Sequence, residues 1–258
     1  MTQPFMRWAL SPQVSVLLLS VWRSHFTLRC AVERQARKSK PFLMTMKTVA
    51  FINPNSTDAM TNSCVETLRS ELPEFCQVRG ITNYSGPAAI QGEKDGIAAI
   101  PGLLAEIEKN SDCDGFIIGC FDDTGLIEAR SITRKPIIGI GQSAFHMAAL
   151  RHGRFCVLTT LEVSVPVIKQ NIMAQGFGYL CKDVIASGIP VLELENNPGS
   201  AINTLSECIK IIEVQDPKIA VVLGCAGMTN VCERLQARHN LHLLDPIVSS
   251  ARMVNAIL

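Results

Sequence analysis

The dipeptide Gly-Cys closes a short apolar run twice in this chain, in GFIIGC ending at Cys120 and in AVVLGC ending at Cys225. Sixty-seven positions separate Asn53, at the end of an earlier apolar run, from Cys120, and 66 separate Thr159 from Cys225. From Cys120 to Ile140 and from Cys225 to Asp245 the interval is 20 both times. Three matched landmarks imply an internal repeat and two similar lobes related by a pseudo-twofold. Ligands bind beyond the carboxyl ends of the strands in parallel sheets. Two lobes facing each other would therefore place Cys120 and Cys225 on opposite walls of one cleft.

From Lys47 onward, apolar β-rich runs alternate with segments of helical period. Strands are expected at 48–53, 77–82, 115–120, 136–140, 155–160, 183–186, 218–225 and 241–244. Helices are expected over 60–72, 103–110, 163–174, 202–214 and 228–237, with a short one after Ile140. Continuous apolar strands separated by helices point to parallel sheets buried on both faces. The fold class is α/β, two similar lobes of parallel sheet flanked by helices with the cleft between them. The expected division is an N-terminal extension over 1–46, lobe 1 over 47–152 and lobe 2 over 153–245. A C-terminal helix over 246–258 packs back on lobe 1.

Charge narrows the function classes. The formal charge of +1 divides unevenly, with seven basic residues and one acidic in 1–46. The remainder holds 17 basic against 22 acidic, a net of −5, which offers no footprint for nucleic acid or an anionic membrane. The apolar run Val14–Trp22 has nine residues, far short of the ~18 that a membrane span requires. The extension is read as upstream sequence joined to the domain, with a mitochondrial presequence as the alternative and the cytoplasm as the expected location. Ten cysteines without a CxxC pair, several inside strand-like runs, read as reduced buried thiols. No paired Cys or His spacing supports zinc, so no metal is expected. The chain is compatible with a homo-oligomer acting on a small molecule.

A cysteine at the end of a buried strand, followed by a turn into a helix start, meets backbone N–H groups and the positive end of a helix dipole. These favour the thiolate. Two sulfurs on opposite faces of a planar carbanion suit a two-base racemisation, one thiolate removing a Cα–H and one thiol returning a proton from the far side. The amides after each cysteine, of Phe121, Asp122, Ala226 and Gly227, are candidate oxyanion donors. The glycine before each cysteine would let backbone approach closely.

The segments FINPNSTDAMT (51–61), GCFDDTGL (119–126), PIIGIGQSA (136–144), RFCVLTTLEVSVP (154–166), PVLELE (190–195) and VLGCAGMTN (222–230) stand in that order. Together they resemble the hydantoin racemase branch of the aspartate/glutamate racemase superfamily, from about Lys47 to the C-terminus. The resemblance implies racemisation without a cofactor by two cysteines that match Cys120 and Cys225. Amino-acid racemases of the superfamily usually carry Cys-Asn-Thr and Cys-Thr-His at these places. Here Cys-Phe-Asp and Cys-Ala-Gly are similar to the hydantoin and allantoin branch. Arylmalonate decarboxylase-like members lack one of the two cysteines, and this chain keeps both.

A 5-substituted hydantoin or allantoin suits such a site, because its anion is delocalised into a neutral ring and needs few fixed charges. Asn53 and Asn55 could hydrogen-bond the ring, or form a turn and cap the next helix. Thr159 and Thr160 hold the equivalent strand end and are read as ring-binding. An anion at Asp122 or Asp123 would raise a neighbouring thiol pKa, so helix capping is the expected role of at least one. The alternatives are an amino-acid racemase of the aspartate/glutamate type and a weakly catalytic ureide-binding protein of nitrogen metabolism. Gly139-x-Gly141-x-x-Ala144 with Glu162 also resembles a dinucleotide fingerprint. It lies far from the start of the α/β region, and its counterpart at Leu244-Asp245-Pro246 has no glycine.

Overall fold

The computed structural model describes residues 45–258. The readings of the extension and its apolar run lie outside the described residues, apart from its last two positions. Among the described residues, no helix is long and apolar enough to cross a membrane.

Two four-stranded sheets, all of whose strand pairs are parallel, form the framework. The first comprises β1 (Lys47–Asn53), β2 (Cys76–Thr82), β3 (Gly115–Ile118) and β4 (Ile137–Gly139) in the order β2-β1-β3-β4. The second comprises β5 (Phe155–Thr159), β6 (Cys181–Ala186), β7 (Ala220–Gly224) and β8 (Leu243–Leu244) in the order β6-β5-β7-β8. The two orders are the same, so the repeat in the sequence is a repeat of topology. Parallel neighbours need crossover connections. Helices supply most of them: α1 (Asp58–Glu71), α2 (Glu93–Lys109), α3 (Leu126–Ile132) and α4 (Ile140–His152), then α5 (Val165–Ala174), α6 (Glu193–Asn196), α7 (Pro198–Gln215), α8 (Thr229–Gln236) and α9 (Pro246–Ile257).

The inner strands β1, β3, β5 and β7 read as apolar runs because both faces are covered, whereas the edge strands β2 and β6 expose part of their length. In β1, Val49 and Phe51 join the large core that contains Phe145, Phe155 and Val221. Ala50 and Ile52 alternate to the other side and pack with Leu103, Ile107, Phe116 and Leu126. The large core crosses from one sheet to the other. Phe145 of α4 lies 5.5 Å edge-on from Phe121 and 6.1 Å from the nearly parallel ring of Phe155. The C-terminal helix α9 packs mainly on α4 and α1, and Arg252 pairs with Glu71 at 3.1 Å.

Two helices depart from the sequence reading. The segment expected to be helical only from 103 begins at Glu93 and passes through Pro101. A proline inside a helix forfeits one backbone hydrogen bond and crowds the preceding turn. Pro101 forfeits the bond to the Ile97 carbonyl, and the turn around it is held from outside by Asn83, in the loop after β2, whose Nδ2 donates to the Ala99 carbonyl at 3.0 Å. Gly102 leaves the space, since a Cβ there would lie 2.1 Å from Asn83 Oδ1. The helix after Ile140, expected to be short, runs for 13 residues and ends at Gly153, whose φ of +73° suits glycine.

The start of α9 is held by Asp245, whose carboxylate accepts from the amides of Ile247 at 2.7 Å and Val248 at 3.3 Å and from the Thr229 hydroxyl at 3.0 Å. Asp245→Ala removes all three bonds and is expected to lower unfolding free energy by about 1–2 kcal/mol. Equilibrium urea unfolding of the two proteins measures the difference, which Asp245→Asn should partly restore.

Candidate active site

In the order β2-β1-β3-β4 the chain reverses direction of travel between β1 and β3, and the equivalent place in the second sheet lies between β5 and β7. The carboxyl ends at such switch points leave a crevice for ligand. Gly119 and Cys120 follow β3, where the Gly119 amide still donates to Ile52 of β1 at 2.8 Å. Thr159 of β5 stands in register with Gly224 of β7, and Cys225 follows. The two crevices meet. Cys120 and Cys225 line one cavity of about 30 Å³ together with residues from both sheets.

Asn55, Phe121, Asp122, Thr159, Thr160 and Ala226 line that cavity; Asn53 and Gly227 do not. Asn53 is fully buried, and its Nδ2 donates to Asn55 Oδ1 at 2.9 Å, Thr61 Oγ1 at 3.0 Å and the Thr57 carbonyl at 3.2 Å. Its Oδ1 accepts from the Asn55 amide at 3.2 Å. The side chain is consumed in shaping the turn that presents Asn55. Asn55 Nδ2 meets only the Met60 thioether at 3.4 Å, a weak acceptor, which leaves a donor for a ligand. Thr159 spends its hydroxyl on the Gly224 carbonyl at 3.0 Å and braces the floor. The amide of Gly227 turns toward the Cys225 sulfur.

The glycines before the cysteines serve packing. A Cβ at Gly119 would lie 2.3 Å from the Phe51 ring, and one at Gly224 would lie 2.9 Å from a Val157 methyl. Cys225 passes at once into a 3₁₀ turn over Ala226–Met228 and then α8, as the sequence pattern anticipates. Cys120 does not. Its five-residue loop bends at Asp123, φ +49°, and at Gly125, φ +72°, before α3 begins. Asp123 anchors this loop: its carboxylate accepts from the amides of Gly141 at 3.0 Å and Gln142 at 2.8 Å at the start of α4.

That contact explains the glycine fingerprint. A Cβ at Gly139 would fall 1.9 Å from Asp123 Oδ1, and one at Gly141 would fall 2.3 Å from the Phe121 carbonyl. Both glycines make room for the loop that carries Cys120. A carboxylate of the chain itself fills the helix start where the fingerprint would seat a phosphate.

Comparison with known proteins places this architecture. The family model described as Asp/Glu/Hydantoin racemase matches residues 49–254. The hydantoin racemase of Rhizobium meliloti is 37% identical over 212 residues, covering 81% of this chain and 88% of its own. The chain belongs to the Asp/Glu/hydantoin racemase family. It is an isomerase of the racemase class. The allantoin racemase from Klebsiella pneumoniae superposes with a TM-score of 0.77 at 29% identity, over 82% of this chain and 87% of that one. Glutamate racemase from Francisella tularensis, at 15% identity and a TM-score of 0.60 over 83% and 81% of the two chains, shares the fold.

The electrostatics of the racemase reverse one expectation. Helix starts were expected to depress the thiol pKa values, yet burial dominates. It pushes the Cys225 thiol up to about 12 and the Cys120 thiol well above its ordinary value. The amides of Gly227 and Met228 at Cys225, and of Asp122 together with the Thr124 hydroxyl at Cys120, pull in the opposite direction without overcoming burial. The Asp122 charge raises both thiols further. Burial also pushes the carboxyls of Asp122 and Asp123 up to about 7.

Met60, Ile90, Ser164 and Val191 also line the cavity and were not singled out in the sequence. Three of them stand inside the ordered motifs, so a signal existed. Ile90 lies in none. Among the described residues, Asp122 is the only ionisable lining residue apart from the cysteines, and no Lys, Arg or His borders the cavity.

Because its folded pKa lies above the unfolded value near 4, Asp122 keeps a proton in the native state that the unfolded chain releases. Its contribution to stability therefore falls as pH rises from about 4 to about 7. Asp122→Asn should reduce that slope and make the racemase more stable than wild type at about pH 8. Urea midpoints across this pH range measure the change; a steeper slope in the variant contradicts the burial argument.

Proposed function

We propose that this protein racemises a cyclic ureide, a 5-substituted hydantoin or allantoin, by proton transfer between two cysteines with no cofactor. The observation that carries the reading is the shared cavity. Cys120 and Cys225 follow equivalent strands of two like sheets and border one narrow space. The relatives named hydantoin racemase and allantoin racemase support the substrate class.

The ring lies flat between the walls with C5 facing a sulfur on either side. A thiolate takes the C5 hydrogen and becomes a thiol, while the electron pair moves into the adjacent carbonyl to give an enolate. The opposite thiol then delivers its proton to the other face of C5, re-forming the carbonyl and leaving a thiolate. Protons and charge balance, and the sulfurs have exchanged states. The next turnover can run in the reverse sense. The amides of Phe121 and Ala226 follow the two sulfurs and serve the developing oxyanion, a kind of donor whose loss costs about 2.7–4 kcal/mol. Asn55 Nδ2 and the Thr160 hydroxyl hold the ring's polar edge.

The lining favours a neutral ring over a free amino acid. An α-carboxylate would meet no cationic side chain and would approach the Asp122 carboxyl. Desolvation without a counter-charge is costly, whereas a ureide presents neutral N–H and C=O groups. Burial lets the sulfurs rest as thiols, and removing one proton starts the cycle.

Cys120→Ser and Cys225→Ser should each reduce racemisation by at least about 100-fold, read by polarimetry on enantiopure hydantoins. In D₂O one single variant should still exchange the C5 hydrogen of one enantiomer without inverting it. Full racemisation by either variant excludes the two-thiol scheme.

With both thiols protonated near neutrality, kcat/KM should rise with pH from about 7 to about 9 as thiolate forms. Asp122→Asn, by removing a carboxylate that opposes ionisation of both sulfurs, should move that rise to lower pH. Initial rates across the pH range measure it, and a rise displaced to higher pH counts against this role of Asp122.

A further inference from the structure

We infer that the substrate's C5 substituent lies in a separate apolar groove that runs along the seam between the two sheets from the mouth of the cavity, and that this groove selects aliphatic or aromatic substituents. The inference rests on the two-cysteine reading given above. Proton removal and return along one axis flatten C5, so its substituent must lie in the plane between the walls. That plane is the seam.

The cavity at the sulfurs is narrow, about 30 Å³, and offers no space for a C5 substituent, whereas a groove of about 370 Å³ adjoins it. Three segments pass from one to the other. Asp122 borders both; Ile90 borders the cavity and Gly92 the groove; Ser164 borders the cavity and Val167 the groove. The groove is built from both halves, α2 and α3 on one side and α5 on the other, as a space in the plane of a flattened carbon must be.

Its lining mixes aliphatic side chains with Thr124, Gln142, Asn171 and Gln175, and has an acidic edge. Ile97 and Ile127 line it with 60% and 81% of their surfaces exposed, beside Ile100 and Val167. Exposed isoleucines flanking a crevice gain by covering one another with an apolar group. Glu93, Glu128, Asp122 and Asp123 also border the groove. Its one basic residue among those described, Arg130, donates to Gln142 Oε1 at 2.8 Å. An anionic substituent is therefore disfavoured.

The test compares racemisation of enantiopure 5-benzyl-, 5-isobutyl-, 5-methyl- and 5-carboxymethylhydantoin and of allantoin by wild type and by Ile97→Asp and Ile127→Asp. Wild type should show the highest kcat/KM with the benzyl or isobutyl compound and the lowest with the carboxymethyl compound. Each variant should lower the benzyl-to-methyl ratio of kcat/KM about tenfold. Because the readout is a ratio, a general loss of folded enzyme leaves it unmoved. An unchanged ratio, or a wild-type preference for allantoin over the benzyl and isobutyl compounds, overturns the groove while the racemase reading stands. Failure of wild type to racemise any of the five overturns both.

Discussion

Everything about the site depends on one topological constraint. A parallel sheet ordered 2-1-3-4 leaves the carboxyl ends of its first and third strands side by side, with the connections leaving in opposite directions. One such sheet offers one crevice. Two copies, joined through a common core in which Phe121, Phe145 and Phe155 pack in succession from one half to the other, set the crevices against each other. The paired cysteines follow from that duplication. Neither sulfur needs a long loop to reach the cavity, because each follows directly from a strand whose backbone is fixed by its neighbours.

The halves repeat in topology while their details differ, and the helix that follows the fourth strand shows how. In both halves its first amides are met by a buried carboxylate. In the second half Asp245 stands at the helix start and caps its own helix. In the first half the residue before the helix is Gly139, which has no side chain to cap with, and the carboxylate comes from Asp123, 18 and 19 positions before the amides it meets. The second arrangement does two things at once. It completes α4 and ties down the loop beginning at Cys120. It also requires Gly139 and Gly141, because side chains there would collide with the visiting carboxylate and the Phe121 carbonyl. Glycines that imitate a nucleotide motif are the space cleared for a long-range cap.

The inner strands are legible because burial on both faces forces a continuous apolar run, and matched spacing exposes the duplication. What stayed hidden depends on contacts between distant segments. Nothing local to Pro101 says that Asn83 will bond the Ala99 carbonyl, so the helix looked shorter than it is. Asn53 and Asn55 are chemically alike and two positions apart. Only the fold makes the first a buried strut and leaves the second facing the cavity. The thiol pKa values were misjudged for a related reason. A helix start is visible in a sequence, but the depth at which a sulfur is desolvated is a property of the assembled cavity, and depth dominates here.

That depth has a chemical logic. A cavity without cations and with desolvated sulfurs is poor at stabilising a resting thiolate, and equally poor at trapping one by a salt bridge. A thiolate fixed by a lysine or histidine would be a weaker base toward a carbon acid, because stabilising the anion lowers its proton affinity. In the proposed two-thiol scheme, burial keeps both sulfurs strongly basic when ionised, as abstraction of a hydrogen from carbon demands. The amides of Asp122, Gly227 and Met228 hold the anion only in part. Asp122, close enough to raise both thiols and itself poised at about 7, adds to that basicity while ionised and relaxes it when protonated. In that scheme the desolvated lining, with the Asp122 carboxyl and, among the described residues, no cation, sets the reactivity of the pair, and the matched sheets set its geometry.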